Sequence, residues 1–63
     1  MDREKIIKYL RENYKNDYAL LISRFGDVEK YIIEPTKEKI IKQHNFFIET
    51  NKDRNYKIEI VNL

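Results

Sequence analysis

The sequence contains no cysteine and no tryptophan, and it has one glycine, one proline, one serine and one histidine. The lack of cysteine excludes disulfide bonds and thiolate metal sites. A single glycine excludes a glycine-rich phosphate loop. No apolar run approaches the roughly 18 residues of a membrane-spanning helix, and the N-terminal residues lack the apolar core of a signal peptide. We therefore expect a soluble, cytoplasmic protein without a cofactor.

The sequence contains few residue arrangements that are typical of enzyme active sites. A Ser, His, acid arrangement would have to use Ser23 and His44, which lie in different predicted elements without an orienting motif. A histidine on an apolar helix stripe is more often a partly buried core residue. One enzyme class remains as an alternative, a small metal-independent ribonuclease that uses Arg54, Tyr56 and Lys57. The prediction is that the protein is not an enzyme.

Metal binding is not predicted either, because one histidine and scattered carboxylates match neither zinc nor calcium spacing. Asn51, Asp53 and Asn55 alternate as oxygen donors, but the following glycine and the distal glutamate of a calcium loop are missing. We interpret this segment as a solvated turn.

Charge and length indicate a small, mixed surface. Thirteen basic and eleven acidic residues in 63 give a net charge of +2, which permits nucleic-acid binding but does not favour it. A chain of this length forms one domain, residues 1–63, and buries a small core, so it usually needs a staple or a partner. Oligomerisation is the support that we expect.

Two helices are predicted from apolar residues at helical spacing. In the first, Asp2 suits the N-cap, and the helix should end between Asn13 and Asn16. The second is predicted over Pro35 to Thr50, with Pro35 at its first position. The two apolar stripes are Ile6, Ile7, Leu10 and Tyr14, and then Ile40, Ile41, His44, Phe47 and Ile48.

Three strands complete an α-β-β-α-β order of the α+β class. They are predicted at Tyr18 to Phe25, Val28 to Glu34 and Tyr56 to Val61, with a turn at Gly26-Asp27 between the first two. The first strand is apolar on both sides and should be central, which gives a three-stranded antiparallel or mixed sheet of order 2-1-3.

We expect both helices to pack on one face of this sheet, and the second strand to lie at an edge. The other face would then stay apolar and uncovered, which predicts a homodimer. In the alternative, a β-meander, Lys39 to Thr50 is a strand.

Basic residues mark two further surfaces. Lys8, Arg11 and Lys15 follow one side of the first helix and form a possible anion site, although a solvated helix face is the simpler interpretation. Three more lysines lie near the start of the second helix, where the dipole favours anions. These are Lys37, Lys39 and Lys42; either Glu34 and Glu38 compensate them, or an external anion does.

Phe46 is the residue that the core explains least. On a helical projection it points nearly opposite to the stripe around His44, on the side of Lys39 and Lys42. We expect Phe46 and the three lysines to bind a partner. The predicted function is a small protein-binding module of the inhibitor, antitoxin-like or adaptor type, acting as a homodimer. The alternative is a nucleic-acid-binding protein in which Phe46 stacks on a base.

Overall fold

The structure is a computed structural model that describes residues 1–53 and 55–63. Two helices and three strands alternate in the predicted α-β-β-α-β order, which confirms the α+β class and excludes the meander. The elements are α1 (Arg3–Asn13), β1 (Tyr18–Arg24), β2 (Asp27–Glu34), α2 (Lys37–Thr50) and β3 (Tyr56–Asn62).

The sheet has the order β2-β1-β3, as predicted, and both pairings are antiparallel. The central strand β1 is buried on both faces, since Ala19, Leu20 and Leu21 are all 0% exposed. Neighbours along a strand point to opposite faces, so a central strand that is covered on both sides is expected to have apolar residues at consecutive positions, as Ala19 to Ile22 do. The prediction that β2 is an edge strand is confirmed.

The helices pack on opposite faces of the sheet, so their predicted placement on one face is wrong. Residues of α1 form one apolar cluster with Ala19 and Leu21 of β1. On the same face, Arg3 of α1 bonds Glu59, which is the register partner of Leu21. In contrast, α2 contacts Lys30, the register partner of Ile22 on the other face.

The overall dimensions of 31 × 26 × 11 Å fit this three-layer arrangement. Three strands spaced at about 4.8 Å are about 10 Å wide, which accounts for the shortest dimension. Both faces of β1 are apolar, and a helix on each face buries both of them. The apolar face from which the homodimer was predicted is therefore covered by α2, and any dimer must use another surface.

The first helix begins and ends as predicted. The Asp2 carboxylate accepts hydrogen bonds from the backbone N–H groups of Glu4 at 2.8 Å and Lys5 at 3.3 Å. These are two of the donors that a helix N-terminus leaves unpaired. At the other end, the Asn13 amide donates to the Tyr9 carbonyl at 2.8 Å.

The second helix begins at Lys37, two residues later than predicted, because Thr36 is its N-cap. The Thr36 hydroxyl accepts a hydrogen bond from the Lys39 N–H at 3.3 Å. Pro35 therefore precedes the cap and does not occupy the first helical position. The helix continues to Thr50, as predicted, and includes Phe46.

The β1–β2 hairpin turns at Phe25 and Gly26, one residue earlier than predicted. Both have positive φ, 52° and 84°, which matches a two-residue type I′ turn between the paired Arg24 and Asp27. A bulge follows in β2, where the register passes from Lys30 directly to Val28. The bulge turns Val28 into the α1 side of the core.

No helix in the described part of the chain is long and apolar enough to cross a membrane.

Candidate binding surface on the second helix

Helix α2 lies across the sheet and is anchored to β2 on one side. The Gln43 amide donates to the Glu34 carboxylate at 3.0 Å, and the Lys30 ammonium lies 5.3 Å from the centre of the Phe47 ring. Because Gln43 contacts the end of β2 and Phe47 its middle, α2 runs back along β2 in the opposite direction. Its remaining contacts are to β1 and β3.

The apolar stripe of α2 is only partly buried. Ile40 is 0% exposed, and His44 and Phe47 are half-buried, as the pattern predicts. Ile41 and Ile48 are 40% and 49% exposed. At 100° per residue they lie on the side of Ile40 away from Gln43 and Phe47, toward β3. A single strand beyond β1 is too narrow to cover that side of the helix.

Phe46 lies outside the core, in agreement with the helical projection. Its side chain is 58% exposed, and its ring meets Phe47 edge to face, with centroids 5.5 Å apart and planes at 87°. Phe47 is held in turn by the sheet, so Phe46 is an exposed ring on a fixed support. Its role in binding stays a prediction.

The lysines at the start of α2 are exposed, and one of them is partly compensated. Lys42 lies 3.6 Å from Glu38 in an i,i+4 pair whose side chains are 76% and 81% exposed. Such a pair contributes little energy in water. Lys37 and Lys39 are exposed, and Thr36 already satisfies the Lys39 N–H. The positive surface therefore consists of exposed lysine side chains, and the Lys39 N–H is not free to bind an anion.

The basic row on α1 is shorter than predicted. Lys15 follows the end of the helix at Asn13 and so does not extend the row. Arg11 turns toward the sheet, where its guanidinium donates to the Asn62 carbonyl at 3.5 Å. Lys8 is exposed. The three residues do not form one track on the helix.

The sheet separates the two residues considered for nucleophilic catalysis. Ser23 is buried on the α1 side of β1, whereas His44 belongs to α2 on the other face and its Nδ1 lies 3.3 Å from the Asn45 side-chain oxygen. The structure does not bring Ser23 and His44 together.

The oxygen donors after α2 form local turns. The Asn51 side chain accepts from the Asp53 N–H at 3.1 Å, and the Asp53 carboxylate accepts from the Asn55 N–H at 2.9 Å. Consecutive side-chain-to-backbone turns of this kind explain the alternation without a metal ion. Within residues 1–53 and 55–63, no group of three metal-ligating side chains converges.

A cluster around Arg24 was not predicted from the sequence. The Arg24 guanidinium lies 5.3 Å from the Phe25 ring centre, 5.2 Å from that of Tyr56 and 3.7 Å from the Asp53 carboxylate. Tyr56 and Lys57 were ribonuclease candidates together with Arg54, which lies outside the described residues. The Phe25 ring is 75% exposed. The sequence signal for this exposed ring is a phenylalanine directly before the only glycine, in the turn between two predicted strands.

An ion pair joins the first helix to the last strand. Arg3 donates to both carboxylate oxygens of Glu59, at 2.8 and 3.1 Å. These hydrogen bonds, with the attraction of the guanidinium charge, hold the pKa of Glu59 below its ordinary value of 4.5. The hydrogen bond and charge of Glu59 raise the pKa of Arg3. Glu59 is therefore ionised at neutral pH.

Two surface depressions lie away from α2. One is beside the start of α1, and the other is where β1 begins and β3 ends. Residues of α2 line neither depression, and an exposed helix side with aromatic and aliphatic side chains suits a macromolecule better than a small ligand, which needs a concave site. A comparison of the chain with known protein families, with curated proteins and with solved structures found no match.

Proposed function

We propose that this protein is a small non-enzymatic binding module of the inhibitor, antitoxin-like or adaptor type, which acts as a homodimer and binds another protein through the outer side of α2. The observation that carries the proposal is the 58% exposure of Phe46 on a helix that the sheet holds in place. Exposed aromatic residues on rigid elements are typical binding hot spots.

The surroundings of Phe46 suit a protein partner. Its ring rests on Phe47, so little side-chain freedom remains to be lost when a partner covers it. Lys39 and Lys42 are exposed on the same side of the helical projection. An apolar anchor with lysines around it would fit an apolar pocket with an acidic rim.

The experiment compares tagged wild type with Phe46→Ala as baits in a lysate of the source cell, with Tyr9→Ala as the matched control. Tyr9 is an aromatic residue of α1 that is 49% exposed. We expect one protein to be retained by wild type and by Tyr9→Ala and lost with Phe46→Ala. Equal retention by all three would contradict the proposed surface.

Stability must be measured on the same variants. Phe46→Ala should cost only about 0.5 to 1.5 kcal/mol, the contribution of one aromatic pair. Phe47→Ala should cost more than Phe46→Ala. Truncation of a fully buried phenylalanine costs at least roughly 3 kcal/mol, and Phe47 is half-buried, so we expect a loss of up to about 3 kcal/mol. If Phe46→Ala unfolds the protein as readily as Phe47→Ala, Phe46 is a core residue and the site is wrong.

Nucleic-acid binding is the second candidate, and the pairing of exposed lysines with Phe46 is the observation that favours it. Its test is the binding of mixed single-stranded RNA and DNA at low salt, repeated at high salt. Binding that weakens steeply with salt and is lost in Phe46→Ala would support a stacked base with phosphate contacts. If neither RNA nor DNA binds at low salt, nucleic-acid binding is excluded and a protein partner is the candidate that remains.

A further inference from the structure

The outer edge of β3 is an open hydrogen-bonding surface. Leu63 N–H donates to the Asp17 carbonyl at 3.0 Å, just beyond the end of the β1–β3 ladder. Hydrogen-bonded and non-bonded pairs alternate along an antiparallel ladder, so Lys57, Glu59 and Val61 direct their backbone groups toward β1. Ile58 and Ile60 direct theirs outward. In the described part of the chain, no strand lies beyond β3.

The opposite edge of the sheet is blocked near the β1–β2 hairpin, whereas the described residues show no such block along β3. At β2, Met1 exchanges two backbone hydrogen bonds with Val28, of 2.9 and 3.0 Å, and the bulge at Glu29 interrupts the edge. These are two ways in which proteins block edge-to-edge pairing. β3 is regular over its seven residues, without a bulge or a proline.

We propose that β3 pairs edge to edge with β3 of a second copy of this chain, antiparallel and centred on Ile58, to form a continuous six-stranded sheet. The two Ile58 residues then exchange two backbone hydrogen bonds across a two-fold axis, and each Ile60 N–H donates to the Tyr56 carbonyl of the other copy. The inference rests on the homodimer part of the proposed function, for which it supplies the interface.

Charge complementarity selects this register. With Ile58 at the centre, Lys57 of each copy lies opposite Glu59 of the other, in non-hydrogen-bonded pairs whose side chains approach closely. A register centred on Glu59 also satisfies the outward backbone groups, but it places two ionised carboxylates opposite each other. Like charges directly opposite are destabilising.

The same register covers apolar side chains on the α2 face. Ile58 meets its own copy there, and Ile60, 37% exposed, lies beside the other copy's Tyr56. Ile41 and Ile48 of α2 are exposed on the β3 side of the helix and would flank the new strand pair. An interface with paired charges on one face and isoleucines on the other is complementary to itself, as two-fold symmetry requires.

The test is sedimentation of three proteins from low to high micromolar concentration: wild type, Lys57→Glu, and the matched charge reversal Lys8→Glu on the far side of α1. Wild type and Lys8→Glu should be dimers. In Lys57→Glu two attractive cross-strand pairs become repulsive, and we expect the dimer dissociation constant to rise about tenfold or more. Lys57 is exposed, so the fold should be retained.

A charge-swapped mixture tests the register directly. Arg3→Glu combined with Glu59→Lys preserves the intrachain pair with reversed charges, but it places the introduced lysine opposite Lys57 of a second identical copy. This variant and Lys57→Glu should each dimerise more weakly than wild type, and a mixture of the two should form a dimer more tightly than either variant alone. In wild type, concentration-dependent protection from hydrogen exchange should appear at the amides of Ile58 and Ile60, whereas the Glu59 amide should be protected at every concentration.

Three results would overturn the inference, and they differ in what else they overturn. A wild-type monomer at high micromolar concentration contradicts the homodimer itself. A dimer that Lys57→Glu leaves intact, with Ile58 and Ile60 exchanging freely, keeps the homodimer but contradicts this interface. Protection of Ile58 and Ile60 only when a foreign protein is added would make that protein, and not a second copy, the occupant of the edge.

Discussion

Phe25 is held in a conformation that its side chain disfavours. It has φ of 52° in the β1–β2 turn, where the left-handed region costs roughly 1 to 2 kcal/mol for a residue with a Cβ. The residue is 75% exposed, and its ring contacts Arg24. Backbone strain and apolar exposure at one residue are both unfavourable for folding.

Phe25→Asn should therefore stabilise the protein by about 0.5 to 1 kcal/mol, because asparagine tolerates positive φ and Asn-Gly is favoured in type I′ turns. Urea unfolding measures the gain. Phe25→Ala is the control: it removes the ring but keeps the strained backbone, so no gain is expected. Destabilisation by Phe25→Asn would mean that the stacking on Arg24 outweighs the strain.

At the scale of the elements, the ends of the helices depend on single side chains. For α1 the cap was predictable, because Asp2 precedes the first apolar residue of the stripe. For α2 two start signals are adjacent, Pro35 and Thr36. The Thr36 hydroxyl caps the helix, and Pro35 holds the preceding backbone extended.

Thr36→Ala should cost about 1 kcal/mol of stability, because it leaves the Lys39 N–H without its partner at the start of α2. Thr36→Ser retains the hydroxyl and should be nearly neutral. Thermal unfolding followed by far-UV circular dichroism compares the two. Equal losses in both variants would show that the methyl group, and not the cap, stabilises this end.

The strands were predictable in number and order, but the details of β2 were not. Glu29 and Lys30 are charged and adjacent, so regular alternation places them on opposite faces of the strand. Alternation alone therefore does not show which face of β2 is buried. The bulge explains the ambiguity: Val28 and Lys30 are two residues apart but point to opposite faces, because the bulge lies between them. The bulge depends on how β2 pairs with β1, and no residue type in β2 predicts it.

At the scale of the whole molecule, the Arg3–Glu59 ion pair joins the first helix to the last strand, and the two residues are 56 positions apart in the sequence. Because the folded pKa of Glu59 lies below its ordinary value, the pair's contribution to stability is fully present above the unfolded pKa. It is lost as pH falls through the lower folded pKa. The pair therefore adds to acid denaturation.

Glu59→Gln should be less stable than wild type at neutral pH, and the difference should shrink as the pH is lowered below 4.5. Unfolding by urea at a series of pH values measures this. Glu49→Gln is the control, an exposed carboxylate of α2 that should give a small difference at all pH values. A Glu59→Gln difference that stays constant with pH would contradict the linkage.

Periodicity along the chain was sufficient to predict five elements, their order and the central position of β1, because amphipathic spacing and apolarity are local properties. It was also sufficient to place Phe46 outside the core, since direction on a helix follows from spacing alone. The faces that the helices cover are not local. They depend on burying both sides of β1, on the space beside a narrow sheet and on the free edge of β3. Only the tertiary structure therefore decided that α1 and α2 lie on opposite faces, that Ile41 and Ile48 are exposed beside β3, and that Arg24, Phe25 and Tyr56 meet.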